Sequence, residues 1–477
     1  LADPAFTAAG EITPEGFAVP ATVAVSGTLS NTGTALHFSL AHDGFAHGDI
    51  LRFSGISGEG DLYGTATGID GHIDLQLKAI DTAVAGLTDL SVHLPVRYPL
   101  PAPGDAQTGH YAIAEIRHQG EHLGTLTGEI QPSREGVALK ALLTSPIQPE
   151  MALSCQGPVS LQGEVTLDCT LPETPLRSAD LATFFQLPAE LTLDGTLAAD
   201  ARLTLHRGIP AADLRISLAL EELVYRNNRL SGVDCALTLP RLPLLESAPS
   251  QLCTVGAADI GDLRFTNGRI RYRLEDPLAL FIETARMNWC QGSVETGGVR
   301  LTPGTTDADL TLYCDRLNFA ELLEQFGIAG TEGEGSLNGR LPLLISDRRL
   351  QLADGFLFST PGNGGIVRFK NTEQLRAGMP DIGESTSLQY TMQALENFWY
   401  NWAKLSFNSH GDELLVALQL DGKPAAPLAF RLKNGQIAPD GKGAGLQHPI
   451  RLDVNFRLPL QEMFDYGRSI HSLLENR

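Results

Sequence analysis

The chain has 477 residues, with 35 Lys and Arg against 56 Asp and Glu, for a formal net charge of −21. That balance argues against nucleic acid, whose phosphates need clustered cations, and against lying flat on anionic lipid. Hydrophobic residues make up 43% of the chain, enough for a sizeable core, yet the longest apolar runs, such as LALFI at 278–282, are far too short to cross a bilayer as a helix.

Leu1 in place of an initiator Met reads as a processed chain or an excised fragment, from which an N-terminal signal or anchor has been removed. From residue 1 to about 81 the pattern is strand, turn, strand. Leu36, Phe38 and Leu40 alternate with His37 and Ser39, and Ile73, Leu75 and Leu77 alternate with Asp74, Gln76 and Lys78. Period-two alternation predicts strands with one apolar face. GISGEG at 55–60 reads as a turn-rich connection, and PVRYPLPAPGDAQTG at 95–109 has the composition of a linker or long loop. Residues 111–170 repeat short alternating runs. Ser178 predicts the N-cap of a short helix with Leu181, Phe184 and Phe185 on its apolar side.

The most regular sheet pattern follows. Leu191 and Leu193, Leu203 and Leu205, then Leu214, Ile216, Leu218 and Leu220, then Val233, Cys235, Leu237 and Leu239 recur at every second position. Leu310, Leu312 and Cys314 form another strand, after which Asn318 predicts a cap for a helix over 319–326 that Gly327 ends. In residues 333–369, Leu341, Leu343 and Ile345 alternate, and Leu350 and Leu352 resume the alternation; Pro342 predicts an edge or a bulge there. A second helix is predicted over 388–402, rich in aromatics (Phe398, Trp399, Tyr400, Trp402). Strands follow at 404–408, 414–420, 428–432 and 450–458, and an amphipathic helix at 460–474 closes the pattern. The expected domains are 1–95, 110–284 and 285–477. No fixed-length repeat is visible, which argues against a propeller or a hexapeptide β-helix. A long antiparallel sheet with one apolar face can meet a second sheet, close as a barrel or curl into an open trough, and periodicity does not choose among them.

Three stretches carry a resemblance: GEGSLNGRLPL with the DG and PG that follow it, LTLYCDRLNFAELLEQFGIAG at 310–330, and ALENFWYNWAKLSFNSHGDELLVALQLDGKP at 394–424. Together they resemble the C-terminal part of the YdbH proteins, members of the AsmA-like group of bacterial envelope proteins, over about residues 285–470. An older label for this region is a dicarboxylate transport domain. These are glycine-and-proline scaffolding signatures, so they speak to the fold more than to chemistry. The resemblance implies a mainly β chain whose long, curved antiparallel sheet forms an elongated, apolar-lined groove with a few short helices. It also implies a periplasmic protein anchored in the inner membrane and spanning toward the outer membrane. There a small outer-membrane lipoprotein (YnbE-like) would be its partner. An unpaired terminal strand offers a route by β-augmentation, with the strand at 450–458 as the candidate.

An apolar trough matches acyl chains, each buried methylene contributing about 0.8 kcal/mol relative to water. A lipid leaving a bilayer exchanges one hydrocarbon setting for another, so the net driving force is near zero, which suits a conduit. The inward phase expected to line it is Leu36, Phe38, Leu40, Ile73, Leu75, Leu77, Leu203, Leu205, Leu214, Ile216, Leu218, Leu310, Leu312, Leu341, Leu343, Val416 and Leu418. Taken singly, each also fits ordinary core packing. Phospholipid is the expected cargo; a glycolipid or lipopolysaccharide would look the same from these residues.

The six cysteines form a local series: Cys155 and Cys169, Cys235 and Cys253, Cys290 and Cys314. Closure of all three pairs would point to an oxidising compartment such as the periplasm. Other pairings stay open, and buried free thiols fit as well, since Cys235 and Cys314 share the phase of apolar neighbours. His110, His118, Glu121 and His122 lack the HExxH spacing that puts two ligands on one helical face, so no metal is expected. His37, His42 and His47 read as solvated loop histidines. With no GxSxG elbow, Walker loop or GxGxxG after a strand, neither catalytic residues nor a cofactor are expected. Bridge-like phospholipid transport along a β-groove between the inner and outer membranes is the leading expectation. The alternative is a surface adhesin or passenger-type β-solenoid with a dry, filled interior.

Overall fold

The computed structural model describes residues 4–12, 21–30, 33–47, 51–82, 85–118, 121–182, 187–275, 279–302, 307–328, 330–346, 349–360, 362, 364–370, 372–377, 385–440 and 445–458. It is mainly β, and every strand pairing described below is antiparallel. Two compact units divide the chain: residues 1–186, 196–217 and 238–243 form the first, and 187–195, 218–237 and 244–477 the second. The division falls within the strands Leu191–His206, Ile209–Tyr225 and Asn228–Leu242, away from the linker composition at 95–109.

In the first unit each strand pairs with the next in sequence. The ladder runs from Ala5–Ile12 through Ala21–Leu29, Thr34–His47, Leu51–Thr65, Gly68–Thr82 and Gly86–Tyr98. It continues through Gly109–His118, Glu121–Ser133, Gly136–Thr144 and Ala152–Ser160 to Val165–Arg177. Among the described residues no register joins Val165–Arg177 back to Ala5–Ile12, so this sheet is open rather than a barrel. Residues 99–108 are a loop between two directly paired strands, tightened by a single 3-10 turn at Pro103–Asp105. Residues 55–60 are strand, not turn: all six lie within Leu51–Thr65. The predicted helix at Ser178 is the short Ser178–Ala182, while Phe184 and Phe185 lie outside the described residues.

The second unit adds helices and a sealed core. Helix Phe319–Gln325 starts where Asn318 predicts, the Asn318 Oδ1 accepting from the Glu321 N–H at 2.9 Å. Gly327 follows the helix with a φ of +83°, a left-handed value that glycine adopts without strain. Phe319 and Leu322 of this helix, with Leu337, Leu357, Leu405, Phe407 and Leu418 from the strands beside it, are 0% exposed. The aromatic run departs from expectation. Helix Thr386–Leu395, capped by the Ser385 Oγ accepting from the Leu388 N–H at 3.2 Å, stops short of it. Phe398, Trp399, Tyr400 and Trp402 belong instead to the strand Phe398–His410. Aromatics suit a pleated, half-buried surface: Phe398 and Tyr400 point into the core while Trp399 faces out. The helix expected at 460–474 lies outside the described residues.

The strand that holds Pro342 is not an edge strand and its register is unbroken there, but among the described residues Pro342 itself has a partner on one side only. Its strand, Ser336–Ser346, pairs with Ala308–Asn318 on one side; on the other, Gly355–Ser359 takes residues 337–340 and Arg349–Leu352 takes 343–346. The seam between those two short partners falls at Leu341 and Pro342, where the ladder does without an N–H on that side.

Cys155 lies directly opposite Cys169 in the first unit, and Cys235 directly opposite Cys253 in the second; both pairs are disulfides. Cys290 and Cys314 are buried free thiols. Burial pushes the Cys314 thiol up to about 12, and burial followed by the Glu321 carboxylate raises Cys290 too. Replacing Cys155 and Cys169 by Ser together should cost about 2–4 kcal/mol, since the cross-link constrains the unfolded chain. A urea titration followed by far-UV circular dichroism should show a lower midpoint for the variant under non-reducing conditions. Equal midpoints would assign the bridge no part in stability.

Candidate functional site

The registers of the first unit line its apolar residues into continuous rows. One row runs Val25, Phe38, Gly60, Ile73, Leu94. The next runs Val23, Leu40, Gly58, Leu75, Val92, Tyr111, Gly128, Ala141, Cys155, Cys169. A third runs Ile56, Leu77, Leu90, Ile113, Leu126, Leu143, Leu153. Directly paired residues share a face and alternate residues of a strand share it too, so the three rows form one apolar surface.

Glycines in these rows make room for large neighbours. A Cβ on Gly60 would lie 2.6 Å from the Phe38 ring, and one on Gly128 would lie 2.2 Å from the Tyr111 ring. Each aromatic therefore lies flat across the neighbouring strand, and Tyr111 donates its hydroxyl to the Lys140 carbonyl at 3.0 Å. Burial raises that phenol above its ordinary value.

The opposite face is polar. His37 contacts Asp61 at 2.9 Å, His72 lies 3.8 Å from Asp61 and 3.5 Å from Asp74, and Asp74 contacts His93 at 2.7 Å. The next pairs in the same row are His93 with His110, His110 with Glu129, and Glu129 with Lys140 at 3.0 Å. His37 and His42 are strand residues, not loop histidines: His37 joins this ladder, while His42 lies on the apolar face opposite Ile56 and is buried, its Nδ1 accepting from the Gly44 N–H at 2.9 Å. His47 ends the same strand. His122 lies 4.0 Å from Glu115, and His118 pairs in register with Glu121.

No second layer covers the apolar face of the first unit among the described residues. Among its described residues, the buried apolar side chains are Ala21, Cys169, Leu171 and Leu239. Leu36, Phe38, Leu40, Ile73 and Leu77 are half-buried, and Leu75 and Leu203 are each 39% exposed. Leu205, Leu214 and Ile216 are half-buried as well. Adjacent side chains in a sheet shield one another, so half-burial is what a single layer with one face bare provides. In the second unit Leu218, Leu310, Leu312 and Leu343 are half-buried, Leu310 facing Leu343 and Leu312 facing Leu341.

Three expected lining residues do not sit on a bare face. Leu341, Val416 and Leu418 are 4%, 2% and 0% exposed. Val416 pairs with Phe407, whose ring is 5.7 Å from that of Phe326 at the end of helix Phe319–Gln325. That helix supplies the layer that alternation could not reveal.

The rows also hold residues that the sequence pattern did not single out, among them Val92, Tyr111, Ile113, Leu126 and Leu143. Their own alternation was the available signal; their joining the same face depends on register, which loop lengths set.

A family model described as YdbH-like, the intermembrane phospholipid transport protein YdbH, matches residues 173–460. No curated protein and no solved structure matches the chain.

Proposed function

The chain belongs to the YdbH-like family, and on that footing we propose that its apolar sheet face carries phospholipid acyl chains in transit between the inner and outer membranes of a bacterial envelope. The observation that carries the reading is the bare face of the first unit: three continuous apolar rows with no protein layer over them among the described residues. Exposed to water, such a face is unfavourable by roughly 25 cal/mol per Å², and contiguous patches beyond a few hundred Å² mark binding surfaces. Acyl chains would cover it without a specific pocket, because continuity from row to row matters more than any single side chain. No catalytic group is required.

The lining residues of this reading are Leu36, Phe38, Leu40, Ile73, Leu75, Leu77, Leu203, Leu205, Leu214 and Ile216, with Leu218, Leu310, Leu312 and Leu343 in the second unit. The two disulfides support an oxidising compartment, the periplasm. The strand Ile450–Leu458 pairs with Glu413–Pro424 on one side, and among the described residues its other edge has no partner strand. That supports docking of a small outer-membrane lipoprotein by β-augmentation. An inner-membrane anchor upstream completes the proposed bridge. Among the described residues, the filled interior that an adhesin would need is found in the second unit.

Native mass spectrometry of gently purified protein tests the cargo. Phospholipid adducts that survive desolvation are the expected result. A spectrum of clean protein, with added phospholipid leaving no adduct, would remove the reading.

A further inference from the structure

The second unit holds a cleft of about 610 Å³ whose lining includes Arg264, Arg286, Arg316, Trp289, Glu321 and Gln325. That volume is in the range of small-ligand sites. Three arginines line it, in a chain of net charge −21. Arg286 lies between Arg269 and Glu295 on the strands either side of it and donates to the Ser293 hydroxyl at 3.2 Å, so one carboxylate and one hydroxyl serve two neighbouring guanidinium groups. Arg264 and Arg316 touch Asp259 at 3.1 Å and Asp315 at 3.2 Å, but their side chains are 75% and 76% exposed, so these pairs are weak and easily traded for a better acceptor.

The same cleft holds one carboxylate. Among the described residues, Glu321 Oε2 is buried and has no hydrogen-bond partner, a state that normally calls for a donor. The wall behind it is fixed: Trp289 Nε1 donates to Gln325 Oε1 at 2.8 Å, and the Glu321 N–H is held by Asn318. A ligand that satisfies this cleft must accept from several arginines and donate to one buried carboxylate. A phosphate ester bearing an ammonium group does both.

We propose that this cleft binds a phosphoethanolamine group, with Arg264, Arg286 and Arg316 on the phosphate and Glu321 on the ammonium. Planar guanidinium forks suit phosphate oxygens, and the ammonium supplies the donor that Glu321 lacks. The site is built from residues of the second unit alone, so the proposal does not rest on acyl chains being carried by the first.

The test titrates the full chain with soluble phosphoethanolamine and with inorganic phosphate, followed by calorimetry. Saturable binding of phosphoethanolamine, at least tenfold tighter than phosphate, is expected. Arg286→Gln should weaken both by tenfold or more. Glu321→Gln, nearly isosteric, should abolish the preference while leaving phosphate binding unchanged. A parallel titration with nanodiscs of phosphatidylethanolamine assigns the source: weakening by Arg286→Gln in both arms identifies a lipid headgroup, and in the soluble arm alone a free ester. No saturable binding of phosphoethanolamine, or equal affinity for the two soluble anions, would overturn the proposal. So would variants that bind like the parent.

Discussion

A Leu418→Asp chain should lose the native packing of its second unit, whereas a Leu75→Asp chain should keep its first. Leu418 is 0% exposed, paired with Leu405 on one side and Val454 on the other. A carboxylate there is buried without a partner, a class of change that costs upward of about 4 kcal/mol. That is a large part of the 5–15 kcal/mol by which domains are ordinarily stable. Leu75 sits between Gly58 and Val92 on the bare face and is 39% exposed, so a polar head there reaches water. Its replacement should cost about 1.5 kcal/mol or less. The chain's three tryptophans, Trp289, Trp399 and Trp402, all lie in the second unit, so their fluorescence reports on that unit alone. A urea titration should show the tryptophan transition lost or strongly shifted in Leu418→Asp and unchanged in Leu75→Asp. Far-UV circular dichroism should confirm that Leu75→Asp keeps its strands. If both variants unfold alike, the apolar face of the first unit is a covered core.

The second large effect is on lipid movement. Ile216→Asp in the first unit, or Leu343→Asp in the second, puts a charge among half-buried apolar neighbours without disturbing a sealed core. Arg215→Asp changes the opposite face of the same strand as Ile216, where the Arg215 side chain is 71% exposed beside Asp213. A desolvated carboxylate beside an acyl chain is unfavourable by several kcal/mol, enough to reduce passage a hundredfold or more. Transfer of a fluorescent phospholipid between donor and acceptor vesicles should therefore fall at least tenfold for Ile216→Asp and stay within twofold for Arg215→Asp. Equal losses in the two would mean that the strand matters for stability and not for its apolar side.

What was legible in the chain follows from which physical signal each element leaves. Alternation is local, so the strands around Leu36–Leu40, Ile73–Leu77 and Leu214–Leu218 could be read directly, as could the Asn318 cap, whose side chain bonds three residues ahead. Register is not local. That Leu40, Leu75, Val92 and Tyr111 form one row depends on loop lengths, and residues 55–60 looked like a turn because glycine usually marks one. Here Gly58 and Gly60 lie in a strand, with Gly60 giving space to the Phe38 ring. The aromatic run at 398–402 carried strand preference and helical neighbours at once, and the capped helix ended before it. Burial was the least legible property. Leu75 and Leu418 have the same pattern around them in the sequence, and only the position of helix Phe319–Gln325 and the strands it covers separates a bare face from a core.

Site-specific photo-crosslinking asks most directly whether hydrocarbon wets the bare rows. Benzoylphenylalanine at position 75 should form a phospholipid adduct on irradiation in cells or with loaded protein, and the same probe at position 76, on the polar side, should not. Adducts absent from both positions, or equal at both, would contradict the account.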